Sequence, residues 1–172
     1  MLQYGDKKQK IIKYAIYAAV ILISCLLENS CGKLLTFAGI RVLPAIPVVA
    51  AIAMFEREFP SALFGAFAGI ILDISSGNDG FNTVVLMLIG AGCSLLISHF
   101  MQNNFVTALV LGAGSVAVYQ TVYVIVNIVL SDGGIPIRSV IAFYLPALLM
   151  TSVFIPLCYG IIKLIYKSRA EW

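Results

Sequence analysis

Few residues in this chain have side chains that could take part in chemistry. Asp73 and Asp132 each lie beside an apolar run, near what we predict to be the same face of a membrane. Two carboxylates that share a proton can activate water. Neither acid has the sequence surroundings of a membrane aspartyl peptidase, and the number of predicted spans does not fit that class. We therefore expect that the chain is not an enzyme.

The histidine and the cysteines give no metal or cofactor site. His99 is the single histidine, and no nucleophile is placed to pair with it. The cysteines are not spaced as C-x-x-C and have no nearby histidine, so a zinc or disulfide framework is not expected. We expect them to be small buried apolar residues, with no metal and no cofactor. They are Cys25, Cys31, Cys93 and Cys158.

The composition is that of a chain surrounded mostly by lipid. Hydrophobic residues make up 61% and charged residues 11% of the sequence, whereas soluble domains are roughly half apolar and about a quarter charged. The net charge of +3 does not suggest binding to nucleic acid. Residues 1–172 are expected to form one membrane domain.

The apolar runs predict an all-α integral membrane protein with a bundle of six transmembrane helices. Crossing a hydrocarbon core of about 30 Å takes roughly 20 residues of helix. Charged or turn-forming residues separate the runs. The predicted spans are Ile11–Leu27, Pro44–Phe55, Pro60–Ile74, Thr83–Phe100, Phe105–Leu130 and Val140–Ile165.

The second and third runs are short and could instead form a re-entrant hairpin. That arrangement would place Glu56, Arg57 and Glu58 at the centre of the bilayer, where each charge costs at least ~2.5 kcal/mol. Two spans through a locally thinned membrane cost less. We therefore expect two separate spans.

The basic residues predict that both termini are cytoplasmic in a bacterial inner membrane. The stretch Leu22–Cys25 resembles a lipoprotein cleavage site, but apolar residues continue beyond it, so we expect an uncleaved helix. The predicted inner side carries Lys7, Lys8, Lys10, Lys13, Arg57, Lys163, Lys167 and Arg169. The predicted outer side carries Lys33, Arg41 and Arg138.

Small residues and one acid lie on a single face of the third span. They recur at offsets of three and four, which is the spacing of one helical face. In lipid, small residues gather where two helix backbones approach closely. Packing within the bundle is the favoured interpretation, and a docking face for a partner is the alternative. The residues are Ala62, Gly65, Ala66, Gly69 and Asp73.

Two further polar patterns are expected to be structural. Asp73 is followed by Ser76, Gly77 and Gly80, which predicts an outer turn in which the carboxylate binds free backbone N–H groups and the glycines adopt positive φ. In the fifth span, the offsets of Gln120, Tyr123 and Asn127, with Tyr119 beside them, predict an intramembrane polar face. Interhelix hydrogen bonding is favoured for this face over a solute site.

The stretch from Pro44 to Gly92 resembles the rod shape-determining protein MreD family. The resemblance covers the layout of the whole chain, and its more specific part is the pattern G-x-x-x-D-x-x-S-G. The matching residues are Pro44–Pro47, Gly65–Gly77, Gly80–Asn82 and Gly90–Gly92.

The resemblance implies a non-enzymatic scaffold of the cell-elongation machinery. Members of that family bind MreC and support RodA, its partner transpeptidase and, indirectly, MreB filaments, and so peptidoglycan synthesis along the lateral wall. It also implies a fold similar to the substrate-binding subunit of energy-coupling-factor transporters.

Such a transporter subunit is the alternative function. Ala15 and Ala19 match the Ala-x-x-x-Ala spacing with which those subunits dock a coupling protein. A vitamin site needs convergent polar and aromatic groups, however, and the predicted outer loops contain few. The scaffold is therefore the favoured interpretation.

Overall fold

A computed structural model describes residues 2–30, 43–77, 80–100, 104–130, 151 and 153–167, with backbone only for 2–10, 30 and 127–130. The described part of the chain is all α-helical, without a sheet. It contains six helices: α1 (Leu2–Ser30), α2 (Ala45–Ala53), α3 (Glu58–Ser76), α4 (Phe81–His99), α5 (Phe105–Leu130) and α6 (153–167).

Four of these helices are long and apolar enough to cross a membrane. The candidate spans are Ile11–Asn29, Glu58–Ser76, Phe81–His99 and Phe105–Val126. Each reaches about 28–33 Å at the rise of an α-helix, close to the thickness of a hydrocarbon core. Large apolar side chains are exposed along all four, as lipid-facing surfaces require. The chain is therefore a multi-pass membrane protein.

The short helix α2 lies inside the bundle and does not have the length of a span. Its 9 residues, Ala45–Ala53, are all buried, and it packs against α1, α3, α4 and α5. Nine residues rise only about 13.5 Å, less than half of the hydrocarbon core. The run Pro44–Phe55 thus forms a helix where one was predicted, but the helix ends before Phe55 and is shielded from lipid by its neighbours.

Two prolines reduce the number of unpaired donors at the buried start of α2. The first N–H groups of any helix have no partner within it, and burying such a donor in an apolar surrounding is costly. Pro44 and Pro47 have no N–H to satisfy. The N–H of Ile46 donates to the carbonyl oxygen of Leu43 at 3.4 Å. The sequence Pro-Ala-Ile-Pro is therefore suited to begin a helix away from water.

Helices α1 and α6 meet at one end of the bundle. Lys13 of α1 lies with its Nζ 4.8 Å from the ring centre of Tyr166 of α6. Phe55, from the α2–α3 turn, contacts the rings of Tyr159 and Tyr166, with centres 5.6 and 5.1 Å apart. We call this the Glu56 end, and the α3–α4 turn marks the opposite, Asp73 end. The predicted sixth run, Val140–Ile165, lies partly outside the described residues.

Candidate interaction site

The hairpin of α3 and α4 is the most closely packed helix pair around the predicted site residues. Gly65 lies directly against the carbonyl group of Leu86, and Gly69 lies against the backbone of Asn82 and Thr83. Because the atoms that face both glycines belong to backbone rather than to flexible side chains, a methyl group at either position would force the helices apart. The two helices touch backbone to backbone along this line.

A third glycine, on α4, extends the same seam. A Cβ built on Gly90 would lie 2.5 Å from the carbonyl oxygen of Ser61. Ser61, Gly65 and Gly69 follow one another at four-residue intervals along α3, so they form one face of the helix. This face is covered by α4. Of the predicted seam residues, Ala62 and Ala66 are only half-buried and lie beside the contact line rather than on it.

Asp73 closes the seam by capping α4 from outside that helix. Its Oδ1 accepts a hydrogen bond from the N–H of Asn82 at 3.0 Å. Its Oδ2 accepts two from Thr83, one from the N–H at 2.8 Å and one from the hydroxyl at 2.6 Å. The residue at the usual capping position of α4 is Gly80, which has no side chain to cap with. A carboxylate at this point also interacts favourably with the positive end of the helix dipole.

The turn between the two helices uses glycine where the backbone requires it. Gly77 and Gly80 have φ values of 66° and 88°, in the left-handed region that glycine adopts most readily. Both were expected to adopt positive φ. The N–H of Gly77 donates to the carbonyl oxygen of Asp73 at 2.9 Å and ends α3. Ser76 is exposed.

A hydrogen bond joins this capped turn to α5. The hydroxyl of Tyr119 donates to Oδ1 of Asn82 at 2.5 Å, and both residues are buried. The ring of Phe81 contacts the rings of Tyr119 and Tyr123, with centres 6.2 and 6.0 Å apart. Asp73, Asn82 and Tyr119 therefore connect α3, α4 and α5 at one end of the bundle.

The residues of the predicted polar face of α5 differ in how far they are buried. Gln120 is buried, whereas Tyr123 is 39% exposed. Asn127 lies within α5, but its side chain is outside the described residues. Tyr119 is the residue of this group whose hydrogen bond to another helix is defined. In the sequence, its position beside the polar row of Gln120, Tyr123 and Asn127 was the signal that Tyr119 could bond to another helix.

Sequence reasoning missed a second polar cluster, at the Glu56 end. Lys13 forms an ion pair with Glu56, and their side chains are only 18% and 8% exposed. The backbone carbonyl oxygen of Glu56 accepts hydrogen bonds from the hydroxyls of Ser61 at 3.4 Å and Ser94 at 2.8 Å. From the sequence, Glu56–Glu58 is predicted only as a charged break between two apolar runs. The ion pair attaches α1 to the α2–α3 turn.

The remaining candidate residues occupy ordinary structural positions. His99 is exposed, and its Nδ1 lies 3.2 Å from the carbonyl oxygen of Leu95 in the same helix. Cys25, Cys93 and Cys158 are buried and unbridged, and the sulfur of Cys93 lies 3.1 Å from the hydroxyl of Ser115 on α5. Within the described ranges, no three His, Cys, Asp or Glu residues are grouped as metal ligands would be. Asp132 and Cys31 lie outside those ranges.

Comparisons with protein-family models, curated proteins and solved structures identify no match for this chain.

Proposed function

We propose that the chain is a non-enzymatic membrane scaffold of the cell-elongation machinery, similar to MreD. It would bind MreC in the bacterial inner membrane. RodA and its partner transpeptidase would join through that complex, and MreB would be linked indirectly. The chain would then support peptidoglycan synthesis along the lateral wall.

One observation carries the proposal: the residues of the G-x-x-x-D-x-x-S-G pattern act together in one hairpin. Gly69 provides the close approach of α3 and α4, Asp73 caps α4, and Gly77 ends α3 with positive φ. The pattern that carries the resemblance to MreD therefore corresponds to a single structural unit. A hairpin whose two helices are fixed against each other by this cap and close approach suits a protein whose role is to hold partners in place.

The geometry also bears on where a partner could bind. The Gly65–Gly69 face of α3 is already covered by α4. A partner would therefore use other surfaces, such as the exposed outer face of the hairpin or its turn. Protein helices in a membrane associate through close packing and hydrogen bonds rather than through hydrophobic burial. Ala62 and Ala66 are half-buried small residues, so a helix of a partner could approach α3 closely there.

The proposed topology has six helices with both termini in the cytoplasm. The contact of Lys13 with Tyr166 supports placing the first and last helices with these residues at the same membrane face. In this arrangement α2 runs only through the inner half of the bilayer, since it ends at the Glu56 end and rises about 13.5 Å. A fold similar to the substrate-binding subunit of energy-coupling-factor transporters forms part of the proposal.

A pull-down in mild detergent from native membranes tests the proposed function. The tagged full chain should recover MreC and RodA. Asp73→Ala should reduce the recovery of MreC at a temperature where the variant keeps its helix content, because the hairpin turn loses its internal anchor. Ser75→Ala is the matched control, since Ser75 is exposed and, among the described residues, its hydroxyl donates to the carbonyl oxygen of Ile71 in its own helix. Recovery of a pair of ATPases with a coupling protein, and no MreC, would identify a transporter subunit instead.

A further inference from the structure

The basic residues that the structure describes lie toward one end of the bundle. Every Lys and Arg within the described residues lies at the Glu56 end or on the part of α1 that precedes the candidate span. The acid Glu56 at this end is paired with Lys13 and buried, so it does not cancel the exposed cations. The basic residues are Lys7, Lys8, Lys10, Lys13, Arg57, Lys163 and Lys167.

Three of these residues form an exposed group, which we call the basic rim: Arg57, Lys163 and Lys167. Within the described part of the chain, Arg57 and Lys163 make no ion pair. Lys163 instead lies with its Nζ 5.4 Å from the ring centre of Tyr159. Glu58 is the exposed acid beside the rim.

Aromatic contacts join the two elements that carry the rim residues, the α2–α3 turn and α6. Phe55 contacts Tyr159 and Tyr166, the two tyrosines that flank Lys163 along α6. Arg57 follows Phe55 by two residues in the α2–α3 turn. The guanidinium and the ammonium groups are therefore carried by two elements that pack against each other at the membrane boundary.

The residues around the rim are of the types that proteins place at the interface between lipid tails and headgroups. Phe59 follows Arg57 by two residues and is 75% exposed, and Tyr166 is also exposed. Aromatic side chains are enriched at this depth, and Lys and Arg extend from it toward the headgroups. At such an interface, we expect an exposed cation to contact lipid phosphates.

We propose that the basic rim binds the anionic headgroups of phospholipids in the leaflet around the Glu56 end. The guanidinium of Arg57 can donate two parallel hydrogen bonds to one phosphate, and Lys163 adds a second positive charge. Each basic residue near an anionic membrane surface strengthens binding about fivefold. The attraction between exposed charges weakens as salt concentration rises.

Native mass spectrometry of the full chain in a nonionic detergent tests the proposal. The chain is titrated with phosphatidylglycerol or with phosphatidylcholine of the same acyl chains. We expect tighter binding of phosphatidylglycerol, and about 25-fold weaker binding in the double variant R57Q/K163Q at low salt. Binding of phosphatidylcholine should not change. Glu58→Gln removes the neighbouring negative charge and should strengthen phosphatidylglycerol binding.

A second double variant separates a local site from an effect of net charge. K33Q/R138Q removes the same charge from the side predicted to be outer, and should leave the affinity for phosphatidylglycerol unchanged. Helix content from circular dichroism checks that each variant is folded. Equal binding of phosphatidylglycerol by wild type and R57Q/K163Q would overturn the proposal, as would equal losses in both double variants. Displacement of the lipid by millimolar inorganic phosphate would identify a free anion as the ligand and would also overturn it.

Discussion

Thr83 donates two hydrogen bonds to the same oxygen atom of Asp73, one from its backbone N–H and one from its hydroxyl, at 2.8 and 2.6 Å. An acid near the end of one helix thereby caps the start of the next helix. The described residues of the turn between them are Gly77 and Gly80, which have no side chains that could anchor the helices. The register of α3 against α4 is set by this cap together with the close approach at Gly65 and Gly69.

Removing the carboxylate of Asp73 should destabilise the protein. Asp73→Ala leaves two N–H groups and one hydroxyl without their acceptor, which we expect to lower the free energy of unfolding by about 2–4 kcal/mol. Asp73→Asn keeps one acceptor oxygen and should lose less. Unfolding in mixed micelles, followed by circular dichroism, measures the difference. Ser75→Ala should change stability by less than about 0.5 kcal/mol. If Asp73→Ala is as stable as Ser75→Ala, the cap does not contribute as described.

The glycines of the seam should differ sharply from a glycine in an open position of the bundle. Gly69→Ala places a methyl group against the backbone of Thr83 and should cost about 1–3 kcal/mol. Gly114→Ala is the matched control, because nothing lies within 4 Å of a Cβ there. In that open position alanine is the better helix former, so the variant should be as stable as wild type or up to about 1 kcal/mol more stable. Equal effects at both positions would argue against close backbone packing at Gly69.

The ion pair between Lys13 and Glu56 should show strong coupling in a charge exchange. Each single reversal, Lys13→Glu or Glu56→Lys, places two like charges together in a mostly buried position. We expect each to cost about 3–5 kcal/mol. The double variant restores opposite charges and should regain a substantial part of that loss. Stabilities measured in the same micelles give the coupling energy, and additive losses in the double variant would show that the two side chains do not interact.

The long apolar runs were the most predictable part of the fold. The fifth run was predicted at Phe105–Leu130, which is where α5 begins and ends. The fourth was predicted as Thr83–Phe100, and α4 spans Phe81–His99. An apolar run that is long enough to cross the hydrocarbon core as a helix has few alternatives to a transmembrane helix. Periodicity and length therefore sufficed for these helices.

The role of α2 could not be derived in this way. A short apolar run is compatible with a thin span, a re-entrant segment or a buried helix, because all three favour the same residues. What distinguishes α2 is that four other helices surround it. That arrangement depends on the packing of helices far apart in the sequence, which periodicity does not report.

The sequence predicted the residues of the candidate site and the binding of backbone N–H groups by Asp73, but not which residues supply those groups. Asp73, Gly77 and Gly80 are recognisable as turn residues from their types alone. The partners Asn82, Thr83 and Tyr119 depend on how α4 is placed after the turn, and Tyr119 is 37 residues from Asn82. Likewise, the pairing of Lys13 with Glu56 joins two elements that sequence alone treats as separate charged flanks.

Labelling of single cysteines from outside the cell tests most directly whether α3 crosses the membrane with its ends on opposite faces. In a chain whose four native cysteines are replaced by alanine, Glu58→Cys and Ser76→Cys place a thiol at either end of α3, at exposed positions. A membrane-impermeant maleimide should label Ser76→Cys in intact cells and Glu58→Cys only after permeabilisation. Labelling of Glu58→Cys in intact cells would contradict the proposed topology and, with it, the assigned role.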